Sequence, residues 1–128
     1  MAEFTLNGRT KVKTLKANFK ENFGSTLRVY KSATCKGAFA DDDATLASIR
    51  AEGFKGGELV VKGNMQVGNF EKKVAELYGI GVQVANADDT KLADNSVTLV
   101  AAGKYIIYTI YAGSLAVSWV TIQITLRF

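Results

Sequence analysis

Acidic side chains stand in runs at Asp41-Asp42-Asp43 and Asp88-Asp89, with Asp94 close by in the chain. Carboxylate oxygens suit hard cations such as Mg²⁺ or Ca²⁺. Consecutive residues point in different directions, however, and the spaced D-x-[DN]-x-[DN]-G loop is absent, so helix capping and loop solvation are the expected roles. The single cysteine, Cys35, precedes Lys36. A neighbouring cation can lower a thiol's pKa, but a nucleophile also needs a base, and the 128 residues contain no histidine. That absence removes Ser-His-Asp and Cys-His catalysis and imidazole zinc ligation together. One thiol forms no intrachain disulfide and no C-x-x-C site, which fits a reducing compartment. Glycines cluster at Gly53, Gly56-Gly57 and Gly79-Ile80-Gly81 without the spacing of a phosphate-binding loop. No catalytic, cofactor-binding or metal-ligating set is expected, and the chain reads as a non-enzymatic, cofactor-free protein.

Basic residues form the other candidate group. Residues 1–36 hold eight Lys and Arg against two Glu, a surplus of six, whereas the remainder holds eight basic against ten acidic residues. Lys13, Lys16 and Lys20 fall at i, i+3 and i+7, which on a helix makes a stripe beside the apolar face. With Arg9 and Lys11 they form a candidate phosphate-backbone surface for nucleic acid. The competing reading is a solvated helix face that keeps the protein soluble.

The elements that would position these groups are written twice. Laid over residues 58–86 with a shift of 55, residues 3–31 match Glu3 with Glu58, Gly8 with Gly63, Val12 with Val67, Glu21 with Glu76, Gly24 with Gly79 and Val29 with Val84. After a two-residue gap, Phe39-Ala40-Asp41 and Thr45-Leu46 fall on Leu92-Ala93-Asp94 and Thr98-Leu99. Such ordered matches point to an internal duplication, with repeat 1 at 3–57 and repeat 2 at 58–104. The lysine stripe has no counterpart, since Gly68, Glu71 and Ala75 stand in its place.

Within each copy the expected order is hairpin, helix, strand and short capped turn. Asn7-Gly8 favours a type I′ turn between Phe4–Leu6 and Arg9–Val12, with Lys62-Gly63 as its weaker equivalent. Leu15, Phe19 and Phe23, or Phe70, Val74 and Tyr78, recur every four residues on one helical face. Thr14 or Asn69 is the expected cap, and Gly24 or Gly79 the left-handed stop. Leu27 and Val29, or Val82 and Val84, then alternate as in a strand.

The run Leu27-Arg28-Val29-Tyr30, then Phe39 to Ile49 with its Asp-x-x-x-Thr-Leu turn, then Glu58-Leu59-Val60-Val61, resembles the second half of a ubiquitin-like β-grasp domain. The resemblance spans residues 3–62 and implies a protein-interaction module. The chain ends in Leu126-Arg127-Phe128 rather than the di-Gly tail of conjugating members, so covalent attachment to other proteins is not implied, and Gly56-Gly57 reads as a turn. Taking each hairpin as one bent strand gives instead the βαββαβ order of a ferredoxin-like sandwich. The fold class is α+β in both cases.

From Tyr105 to Leu126 no residue is charged. That length approaches a membrane-spanning helix, yet Val120, Ile122, Ile124, Leu126 and Phe128 alternate with Thr121, Gln123, Thr125 and Arg127. A C-terminal β-hairpin over 105–128 is expected, completing one domain over 1–128. Membrane association through this segment, and an adventitious tail never selected to pack with the rest, are the less favoured readings. With no secretory signal at Met1–Thr5, a cytoplasmic location is expected. The expected function is a small interaction module that binds a protein partner or itself through a sheet edge, with nucleic-acid binding and membrane association as alternatives.

Overall fold

The computed structural model describes residues 2–104. Eight elements follow in the order β1 (Glu3–Leu6), α1 (Val12–Phe23), β2 (Thr26–Tyr30), α2 (Leu46–Ile49), β3 (Leu59–Lys62), α3 (Val67–Tyr78), β4 (Gly81–Ala85) and α4 (Leu99–Lys104). The class is α+β. Strand, long helix, strand and short helix occur in that order twice, and α3 and β4 lie 55 positions after α1 and β2.

The strands make two separate antiparallel ladders among the described residues. β1 pairs with β3, Phe4 opposite Val61 and Leu6 opposite Leu59, and β2 pairs with β4, Leu27 opposite Val84 and Val29 opposite Val82. The single four-stranded sheet of a ferredoxin-like sandwich is therefore not formed there. The expected opening hairpins are also replaced. Asn7-Gly8 does turn the chain, with the Thr10 amide donating to the Asn7 carbonyl at 3.0 Å, but Arg9 to Lys11 is not a strand laid on β1. The reason lies in Val12, which is fully buried as the first residue of α1. Its side chain extends the helical apolar stripe of Leu15, Phe19 and Phe23 by one turn, and burial of that stripe outweighs a local turn preference.

Capping differs in the same way. Thr14 and Asn69 sit inside their helices, and the cap residues Lys11 and Gln66 make no side-chain cap bond. The first amides are closed by each unit's own loop: Val12 donates to the Ala44 carbonyl at 2.8 Å and Lys13 to Asp42 at 2.9 Å, while Val67 donates to Val97 at 2.8 Å and Gly68 to Asn95 at 2.9 Å. Both helices stop at left-handed glycines, Gly24 with φ 77° and Gly79 with φ 69°, as the sequence predicts. The short helices α2 and α4 are opened by Thr45 and Thr98, whose hydroxyls accept from Ser48 at 3.2 Å and Ala101 at 3.1 Å.

One apolar cluster joins both halves. Phe4, Phe19 and Phe23 meet edge to face or tilted, and Phe19 reaches Phe70 of α3 at 5.2 Å between ring centroids. Gly103 of α4 lies so close to the end of α1 that a Cβ there would stand 2.2 Å from the Phe23 carbonyl oxygen. Beside that contact the buried Ser25 hydroxyl donates to the Leu99 carbonyl at 3.3 Å. No helix among the described residues is long and apolar enough to cross a membrane. The expected C-terminal hairpin and the membrane reading both fall on residues 105–128, outside those described.

Candidate interaction surface

The basic stripe lies on α1 beside the loop that carries the acidic run. Lys13 Nζ stands 2.9 Å from Asp43 Oδ1, and Lys16 Nζ stands 2.9 Å from Asp42 Oδ1. Lys20 Nζ donates to the Ala87 carbonyl and, at 3.4 Å, to the Thr26 hydroxyl. The two charge clusters singled out in the sequence are thus one structure. Because Ala44 and Asp42 cap the helix through their carbonyls, the acids are held over the first turns of α1, where the lysines project. The side-chain bond to Lys13, and then its charge, holds the Asp43 carboxyl below the usual aspartate range; Asp43 in turn raises Lys13. The second unit explains the asymmetry: Gly68 and Glu71 stand where Lys13 and Lys16 do, and Asn95 and Ser96 replace the acids Asp42 and Asp43. Both sides of each pair change together. Arg9 and Lys11 are exposed and form no ion pair among the described residues.

Asp41 and Asp94 perform turn chemistry. Each carboxylate accepts from the amide two residues on, Asp43 at 3.0 Å and Ser96 at 3.1 Å. Asp89 pairs instead with Arg28 at 2.8 Å, tying the loop after β4 to β2. Among the described residues no group of three His, Cys, Asp or Glu side chains is placed to hold a metal ion.

Cys35 does not sit in an electropositive site. Its thiol lies against the Val82 carbonyl at 3.8 Å, over Gly81, where a Cβ would come within 2.6 Å of the sulfur. Burial pushes the thiol up, and the charge of Glu71 raises it further. Glu71 is itself a feature the sequence does not announce. Half-buried between α3 and β4, it accepts from the Val84 amide at 3.1 Å, and burial raises its carboxyl despite that bond.

The surface feature that remains unexplained by packing is apolar. Phe39 is 60% exposed and Leu92 43% exposed, and they occupy matching places: Phe39 bridges to Tyr30 at the end of β2, and Leu92 bridges to Ala85 at the end of β4. The following residues bond alike, Ala40 donating to Val29 at 2.9 Å and Ala93 to Val84 at 2.8 Å. In the first unit the Phe39 ring lies on Tyr30, centroids 4.9 Å apart, and the Tyr30 hydroxyl is anchored on Gln83 Oε1 at 2.9 Å. In the second, Ala85 takes the place of Tyr30. Beside the smaller pair is an apolar cavity of about 180 Å³ walled by Leu92, Ala93, Val97 and Ala102, with Asn86, Lys91 and Asp94 completing it. Asn86, buried, shapes this loop by accepting from the Thr90 and Lys91 amides at 2.8 and 3.2 Å.

Compared with known proteins, the chain matches no family model, no curated protein and no solved structure.

Proposed function

We propose that this protein is a small non-enzymatic binding module that docks a protein partner on the Phe39–Tyr30 platform and at the Leu92 cavity. The observation that carries the reading is the exposure of a large apolar side chain at the same place in both units. A phenylalanine at 60% exposure, backed by a tilted tyrosine ring whose hydroxyl is fixed, offers a rigid anchor with little side-chain entropy to lose on binding. The cavity beside Leu92 has room for one aliphatic side chain of a partner segment. A protein partner is favoured over nucleic acid because three of the five candidate basic residues, Lys13, Lys16 and Lys20, already bond within the chain. An internal duplication is part of the same reading, supported by the recurring element order and by loop-to-helix bonds that pair off between the halves.

The test compares affinity capture and cross-linking by the wild-type chain with a Phe39→Ala, Leu92→Ala double variant. Both residues are exposed, so the variant keeps its circular dichroism and loses its partner. Equal recovery by the two proteins, or no partner for either and no self-association, ends the proposal. Titration with single- and double-stranded nucleic acid at two salt concentrations separates the alternative, which requires affinity at low salt that falls when Arg9 and Lys11 are replaced.

A further inference from the structure

We propose that the chain is a two-fold assembly folded within one molecule, and that its internal interface fits a second copy of the chain, entered by exchange of the halves 3–49 and 59–104. Both ladders run between the halves. Within either half the described strands meet only isolated bridges, Lys11 with Thr45 and Tyr30 with Phe39 in the first, Gln66 with Thr98 and Ala85 with Leu92 in the second. A half by itself leaves its strands without ladder partners, which unsupported strands do not survive in water.

The registers have the property that defines a two-fold contact, in which residue i meets j and the equivalent of j meets the equivalent of i. Shifting Phe4 and Val61 by 55 in opposite senses gives Leu59 and Leu6, which are themselves opposed. The pairs Thr5–Val60 and Arg28–Gln83 are each separated by 55 positions and so face their own equivalents, marking where the axis crosses each ladder. Each long helix is also closed at its C-terminal end from outside its own half. The segment after α2 closes the C-terminal end of α3, Ala51 donating to Tyr78 at 2.8 Å and Gly56 to Leu77 at 2.6 Å, while α4 packs on the C-terminal end of α1 through Gly103.

A second chain offers each half the same complement. What favours closure within one molecule is the connection 50–58, whose glycines Gly53, Gly56 and Gly57 hold positive φ and fold it back. A flexible tether of that length sets an effective concentration of order mM, so exchange competes when chains refold near that concentration. Neither Phe39 nor Leu92 lies in either ladder, and the inference stands apart from the docking reading.

Complementation between full-length chains tests it. Leu15→Asp and Phe70→Asp place a carboxylate at equivalent, fully buried positions of the two long helices. Each variant alone loses cooperative unfolding. Refolded together in equal amounts, the intact second half of one and the intact first half of the other should form a heterodimer in native mass spectrometry, with about half the wild-type helical signal per chain. A mixture that stays as unfolded as its components overturns the proposal. Should either variant keep its fold alone, isotopically light and heavy wild-type chains refolded together at about 1 mM decide the matter: dimers of intermediate mass support exchange, and their absence overturns it.

Discussion

Replacing Gly103 with alanine sets two effects of opposite sign against each other. Within α4 the change removes a poor helix former, and an isolated helix would gain about 1 kcal/mol. In the folded chain the added methyl would stand 2.2 Å from the Phe23 carbonyl oxygen and 2.6 Å from the Gly24 carbonyl carbon and the Ser25 nitrogen. All three are backbone atoms, so no rotamer change relieves the overlap, and α4 must retreat from α1 by more than an ångström. Overpacking of this kind costs about 3 kcal/mol or more, the upper end of its usual range. Retreat also weakens the buried bond from Ser25 to the Leu99 carbonyl. The expected net loss is about 2 kcal/mol or more, read from urea unfolding of the full chain as a lower midpoint at unchanged slope. Gly37→Ala is the control. It has a positive φ of 82° but no atom within 4 Å of the added methyl, and should lose only the left-handed penalty of about 1 kcal/mol. A neutral or stabilising Gly103→Ala would refute the packing of α4 on the end of α1, and with it the exchanged helix contacts.

Three further outcomes follow from particular contacts. Phe70→Ala empties a fully buried ring site against Phe19 and should cost about 3–5 kcal/mol, whereas a loss below about 1 kcal/mol would mean the two halves do not share this core. Glu71 has its folded value raised by burial, so its contribution is fully present below the unfolded glutamate value of about 4.3 and is lost as pH rises through the folded value. Glu71→Gln keeps an acceptor for the Val84 amide, and its melting temperature relative to wild type should climb from pH 4 to pH 7; a pH-independent difference contradicts the burial. In Lys13→Ala the Asp43 carboxyl should move back up toward the ordinary aspartate value in a carbon-detected NMR titration, and an unmoved Asp43 means that the ion pair does not form in solution.

Periodicity made much of this legible. The apolar positions of α1 and α3, their glycine stops and the inward residues of β2 and β4 all follow from spacing, because each depends on neighbours within one or two turns. Strand partners were not legible, since pairing is decided by residues more than fifty positions apart. Asn7-Gly8 signalled a turn and gave one, but nothing local says that Val12 buries more surface as the first residue of α1 than as a strand residue. Asp41 to Asp43 and the lysine stripe were each visible in the sequence, and their neutralisation of one another was not, because it depends on which carbonyls of the loop cap the helix. The matching of Phe39 with Leu92 was present in the repeat alignment. Their exposure was not, as an apolar residue beside an alanine reads equally well as core.

Both described ladders pair a strand of residues 3–49 with one of residues 59–104, and that governs the chain's synthesis. Glu3 waits for Lys62 and Thr26 for Ala85, so neither described ladder can zip until its distal strand has cleared the ribosome. Until then Phe4, Leu27 and Val29 belong to a nascent segment without its ladder partners, the condition in which slow, non-local topologies are open to association with neighbours. Birth of this polypeptide is thus its most adhesive moment, and the farther apart in sequence its paired strands stand, the longer that exposure lasts.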